Sequence, residues 1–255
     1  MTCLVVLIQQ RAECTIEVIV VANGCTDRTA DLARDFSAQA RDTDVRLHVL
    51  EIDEASKSAA LNAGEEHAAD SDVRMYLDAD SRLSENCIQA LLDTLREEAN
   101  IHECCPRAEA EESRGWISRQ YSCIWSRIPR VAADVWGKGC IAVDRDGRSR
   151  WSTFPQVVAD EGFVHLHFER NERCVVGDAW VRVQVPDGLR ELVSVRSRWV
   201  RGEQELLAAH SELKARRGAL PRKSVPTLLP ISESAIPREI LHRTRAQPLR
   251  NHAAR

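Results

Sequence analysis

The chain has no apolar run long enough to cross a bilayer. Val18 to Ala22 and Leu4 to Ile8 are among the longest, far short of the ~20 residues a spanning helix needs. Met1-Thr2-Cys3 also lacks the basic start of a secretory signal, so a cytoplasmic location is expected, with at most peripheral contact at the inner face of a membrane. There is no CxxC pair. Nine cysteines, an odd number, are scattered, with only Cys104-Cys105 adjacent, which fits neither a zinc pattern nor a disulfide framework. Reduced thiols packed as small apolar groups are expected instead. No excess of positive charge is present either: the formal net charge is −4, which argues against a general nucleic-acid binder. Internal repeats and low-complexity tracts are missing as well.

What is present suits one large α/β domain. With 255 residues, 44% hydrophobic and 29% charged, the chain can bury a full core. Charge is unevenly placed. From Lys214 to Arg255 ten Lys or Arg residues face two acids, Glu233 and Glu239, so this tail carries about +8 and the remainder about −12. The basic segment 214–255 is broken by Pro221, Pro226, Pro230, Pro237 and Pro248 and reads as a solvated tail. Contact with anionic lipid or a phosphorylated acceptor is its functional alternative. The domain is expected over 1–213, in two halves divided at about residue 100.

Periodicity divides the first half into strand-turn-helix units. Thr2 to Gln10 reads as a short helix or a strand. Glu17 to Val21 is a β-branched run of the buried parallel kind, ending at the turn signal Asn23-Gly24. A helix capped by Thr26 or Asp27 should follow. Val45 to Ile52 and Val73 to Leu77 read as strands, and Lys57 to Ala69 and Glu85 to Glu98 as helices. Such alternation implies a parallel sheet covered on both faces, with ligands bound beyond the carboxyl ends of its strands. Beyond Asn100 a helix from Glu112 to Trp125, a turn at Gly137-Lys138-Gly139, a strand Cys140 to Val143 and a tight turn Asp144 to Gly147 are expected. A strand around Cys174 to Val185 and a helix from about Leu189 to Leu213 complete the lobe.

Asp78-Ala79-Asp80 lies at one of those carboxyl ends. In an extended segment Asp78 and Asp80 would point together into the cleft. Two such carboxylates suit a hard divalent ion, Mg2+ or Mn2+, that also takes diphosphate oxygens, although strand-end aspartates commonly cap the next turn instead. Lys57 offers a point charge that could reach a phosphate. His165-Leu166-His167 could ligate together on a strand but not on a helix, and is left out of the site.

Three ordered motifs resemble family 2 glycosyltransferases. They are Val20 to Thr29, Lys57-Ser58-Ala59-Ala60-Leu61-Asn62-Ala63-Gly64 and Tyr76 to Ser81. Gly137 to Val143 and Phe154 to Glu161 extend the likeness over roughly residues 3–205. The resemblance implies a GT-A fold, a nucleotide-diphosphate sugar donor, a sugar, lipid-linked or small-molecule acceptor, and transfer with inversion. It implies donor contacts at Asn23, Asp27, Lys57, Asn62, Asp78 and Gly139, and metal contacts at Asp80 and Asp78. Asn62 serves helix packing in the alternative reading. Asp160 and Glu161 resemble the family's acidic pair, whose second member is an aspartate acting as base; here that slot holds Glu161, and either acid could serve. Arg198-Trp199 resembles an acceptor or diphosphate element, without the Gln of processive members because Val195 stands in that slot.

The apolar strand with which family members usually begin is not in this sequence. Its place should be in the middle of the sheet, beside Val18 to Val21, and an upstream start is the expected explanation. A non-catalytic sugar-nucleotide-binding relic is the alternative. A nucleotidyltransferase would need a Gly-rich basic loop after the first strand, and no such loop is visible.

Overall fold

In the computed structural model, which describes residues 2–41, 43–68, 70–111, 115–125 and 139–213, the ambiguous start of the chain is helix α1 (Thr2–Ile8). The β-branched run forms β1 (Ile16–Asn23), paired in parallel with β2 (Val45–Ile52), so that Ile16 faces Val45 and Asn23 faces Ile52. Between them lie α2 (Thr29–Asp35) and α3 (Ser37–Ala40). Neither expected residue is the cap of α2. Asp27 instead accepts from the backbone and hydroxyl of Thr29, an Asx-type turn that delays the helix start. Helix α4 (Lys57–His67) follows β2 and begins where the Ser56 hydroxyl accepts from the Ala59 N–H at 3.2 Å.

The remaining strands form a separate five-stranded sheet in the order β3 (Val73–Leu77), β6 (Cys140–Asp144), β5 (Glu103–Ala110), β7 (Arg173–Val183), β4 (Arg82–Leu83). This sheet is mixed rather than parallel. Strand β6 runs antiparallel to β3 and β5, β5 runs parallel to β7, and β4 is antiparallel to β7. Strand β5 was not anticipated, since Pro106 and three charged residues disguise it as a loop. Pro106 is tolerated because the β5–β7 register shifts at Pro106/Arg107, where a missing donor interrupts no regular ladder. The expected turn after β6 is the start of a one-turn helix, α7 (Arg145–Arg148), capped by Asp144. Helices α5 (Cys87–Glu97), α6 (Trp116–Trp125), α8 (Asp160–His165) and α9 (Leu189–Ala209) complete the described elements.

Two apolar clusters hold this arrangement. Leu91, Leu95 and Cys87 of α5 pack with Leu4, Val18 and Val181, and a second cluster joins Ile141, Trp151, Phe163, Phe168 and Leu206. Each fully buried Leu or Phe contributes ~1.5–3 kcal/mol. The second cluster fixes α8 against β6 and so positions the acids at its start.

Among the described residues the two sheets do not join. Among the described residues, the β1 edge away from β2 and the β3 edge away from β6 have no strand partner. Met1–Gly218 forms one compact unit; a second, Ala219–Arg255, lies outside the described residues, as do Gly137, Lys138 and the basic segment from 214. No described helix is long and apolar enough to cross a membrane.

Candidate active site

The carboxyl end of β3, the first turn of α4 and the start of α8 meet at one ammonium. Lys57 Nζ lies 2.7 Å from Asp78 Oδ1 and 2.9 Å from Asp160 Oδ2. Desolvation works against the lysine charge, but Asp160 and Asp78 outweigh it and hold the group above its ordinary range. Asp160 is therefore not the cap of α8, a position taken by Ala159 without a side-chain bond.

Glu161 sits beside this ion pair in different surroundings. Its Oε1 accepts from the Gly139 N–H at 2.7 Å. Desolvation first, and then the negative charges of Asp78 and Asp160, push its carboxyl up to about 7; Lys57 and the Gly139 N–H oppose this without cancelling it. The two neighbouring acids thus sit in different surroundings, Asp160 in an ion pair with Lys57 and Glu161 poised to exchange a proton near neutrality.

Gly139 fits closely against the β3 end. Its carbonyl accepts from the Asp78 N–H at 2.8 Å, and its backbone is left-handed at φ +68°. A Cβ there would lie 2.7 Å from Ser81 Oγ and 3.2 Å from Asp78 Oδ2. Asp78 to Ser81 is a turn rather than an extended segment, closed by the Ser81 N–H on the Asp78 carbonyl at 3.0 Å. The turn, not strand alternation, brings Asp78 and Asp80 to the same cavity, which Asn23, Lys57 and Arg198 also line. Among the described residues no three His, Cys, Asp or Glu side chains converge as a closed metal cage.

Other expected contacts separate from this cluster. Both functions of the Asn62 amide are used by one residue: Nδ2 donates to the Phe154 carbonyl at 3.0 Å, and Oδ1 accepts from the Phe154 N–H at 2.8 Å. Its observed role is to clamp α4 to the segment leading into α8. Asp27 is exposed and engaged with Thr29. Trp199 is exposed with the Arg196 guanidinium 5.3 Å over its ring, whereas Arg198 reaches the cavity. The two histidines diverge because α8 ends at His165 and His167 lies in the turn beyond it. His165 Nδ1 lies 3.3 Å from buried Glu103, and His167 Nδ1 lies 2.8 Å from the Phe163 carbonyl.

Two neighbours escaped sequence reading. Ser81 is buried beneath Gly139, and Cys3 Sγ lies 3.9 Å from the Asp78 carbonyl. Burial, with Asp80 and Asp78 adding, pushes the Cys3 thiol up to about 11, so it stays protonated and non-nucleophilic. A serine directly after an acidic turn is the available signal for the first; nothing local marks the second.

The sequence profile "Glycosyl transferase family 2" matches residues 2–145, more than half of the chain. The chain belongs to glycosyltransferase family 2. Two solved structures share the fold of this family 2 chain. The mannosyltransferase PcManGT from Pyrobaculum calidifontis, solved with GDP-Man and Mn2+, has a TM-score of 0.57 at 20% identity, covering 80% of this chain and 56% of that one. TarS from S. aureus has a TM-score of 0.52 at 17% identity, covering 71% of this chain and 34% of TarS. The family 2 chain therefore has the GT-A fold expected of it and spans a third to just over half of the length of these two proteins. No curated protein matches it.

Proposed function

We propose that this chain transfers a sugar from a nucleotide-diphosphate donor to an acceptor hydroxyl, with inversion at the anomeric carbon. The observation that carries the reading is the division of labour between adjacent acids: Asp160 is tied to Lys57 at 2.9 Å, while Glu161 is held by the Gly139 N–H with its carboxyl raised to about 7. A carboxyl of that strength accepts a hydroxyl proton at neutral pH and releases it again. Glu161 is thus the base: it takes the acceptor proton, the acceptor oxygen bonds to the anomeric carbon, and the bond to the nucleoside diphosphate breaks. Lys57 faces the leaving diphosphate, and Arg198 adds a second positive charge at the cavity rim.

Asp78 and Asp80 fit a hard divalent cation, Mg2+ or Mn2+, because such ions use one or two carboxylates and take their other ligands from water and phosphate. The cation's contribution when bound is neutralisation of charge on the departing diphosphate. The GDP-Man and Mn2+ of PcManGT support this donor and metal class. Asn23, which lines the same cavity at the end of β1, serves the nucleoside side in this reading. The acceptor, a sugar, lipid-linked or small-molecule hydroxyl, and membrane contact through the basic segment 214–255 belong to the same proposal.

Nucleoside diphosphate release across a panel of sugar donors tests the reading. Asp80→Ala should abolish manganese-dependent donor binding while circular dichroism stays unchanged; undiminished binding would refute the site. The split between the two sheets favours a second reading, a sugar-nucleotide binder without turnover. Donor binding with no diphosphate release from any donor would select it.

A further inference from the structure

We propose that Gly202 is a positioning residue of the donor site: the notch it leaves in α9 seats that helix against the entry to α8 and thereby sets Arg198 at the diphosphate. This rests on the donor-site reading above. Gly202 is buried and acts through Arg198.

Residues four apart on a helix form one inclined ridge, and such a ridge packs along its neighbour. On α9 a ridge runs through Arg198, Gly202 and Leu206 and continues to His210, just past the helix end. Its last two members lie against α8. Leu206 is fully buried in the apolar cluster with Phe163 and Val164, and the His210 ring is 5.5 Å from the Phe163 ring. One turn earlier on α9, Gly202 meets the two residues that lead into α8: a Cβ on it would lie 2.9 Å from Val158 Cβ, 3.1 Å from Val158 Cγ1 and 3.4 Å from the Ala159 nitrogen. A further turn earlier the ridge passes the start of α8, whose first residues are Asp160 and Glu161. Arg198 is the member that emerges there, and it lines the cavity together with Lys57, Asp78 and Asp80.

Conformation does not call for a glycine at this position. Gly202 is not among the glycines with positive φ, and glycine is among the poorest residues in a helix interior. The close approach of Val158 and Ala159 does call for one. Neither atom facing the notch is the tip of a flexible side chain: one is the Val158 Cβ and another the Ala159 backbone nitrogen. An added methyl therefore has to move α9 or the 158–159 segment. Either movement alters the spacing between Arg198 and the acids, because α9 carries the arginine and 158–159 runs directly into Asp160.

The test is a double-mutant cycle on the full chain, read by isothermal titration calorimetry with GDP and with UDP, each in the presence of Mn2+. Gly202→Ala should weaken the nucleotide that binds by at least ~10-fold, the worth of one hydrogen bond to a charged group. Arg198→Ala should weaken it as much, and the two together by no more than ~3-fold beyond either alone, because both remove the same contact. Val158 is 52% exposed, so Val158→Gly alone should stay within ~3-fold of the unaltered chain. Added to Gly202→Ala, it should restore affinity by opening the room the methyl needs. If Gly202→Ala alone does not fold, the Gly202→Ala/Val158→Gly chain decides: it should fold, bind, and lose at least ~10-fold when Arg198→Ala is added. A purely structural glycine would instead give losses that add across the Gly202 and Arg198 pair. Additive losses, an affinity that Gly202→Ala leaves within ~3-fold, or no rescue by Val158→Gly would overturn the proposal while leaving the donor site standing. Failure of both nucleotides to bind the unaltered chain would overturn the donor reading itself, and this inference with it.

Discussion

Lys57 shows why motif residues alone do not reveal a mechanism. The sequence offered two adjacent acids and no way to rank them, because the ranking depends on a lysine about a hundred positions earlier. Once folded, Lys57 neutralises Asp160, and Glu161 takes the desolvated position against Gly139. Glu161→Gln should therefore lower kcat by ~10²–10⁴ with little change in donor affinity, measured by steady-state turnover and donor titration. In the unaltered chain kcat should rise with pH through about 7, as the base loses its proton. Stability carries the opposite sign. The folded state holds the Glu161 proton above its ordinary 4.5, so stability present below about 4.5 is lost as pH rises through about 7. Against the unaltered chain, Glu161→Gln should gain Tm across that window and level off above it, which scanning calorimetry at stepped pH would record.

Elements were legible where a local signal decided them. β1 contains the β-branched, turn-bounded run from Glu17, β2 and β3 occupy Val45 to Ile52 and Val73 to Leu77 as expected, and α4 starts at Lys57. Strand β5 was hidden, because its pairing partners come from residues 140 and beyond and its Pro106 argues against a strand unless the bulge is known. Asn62 was open between ligand contact and packing for a similar reason: its partner, Phe154, is 92 positions away. Its removal tests the clamp. Asn62→Ala should cost ~1–3 kcal/mol in chemical denaturation, since the Phe154 N–H and C=O would lose their partners. At Gly139 the constraint is conformational as well as spatial. Gly139→Ala should destabilise the chain by ~1–2 kcal/mol from the left-handed backbone alone and should also depress turnover by pressing on Asp78.

Across the whole molecule, the family and the GT-A class were readable from three ordered motifs. The internal geometry of the second half was less readable, because a mixed sheet built from distant strands leaves little period in the sequence. A two-stranded sheet is marginal on its own. Native-state hydrogen exchange should accordingly find β1 and β2 opening at lower free energy than β5 and β6, whose amides belong to the larger sheet. Helix α4 spans this divide in stability. It is fastened to the 154–161 segment at two places, through Lys57 to Asp160 and through Asn62 to Phe154, ~7.5 Å apart along its axis. A helix held at one point can pivot, whereas two fastenings forbid rotation about either. Any hinge that widens the cleft must then carry α4 and α8 as one rigid lever, so the lysine and both acids keep their spacing while the rest of the molecule moves around them.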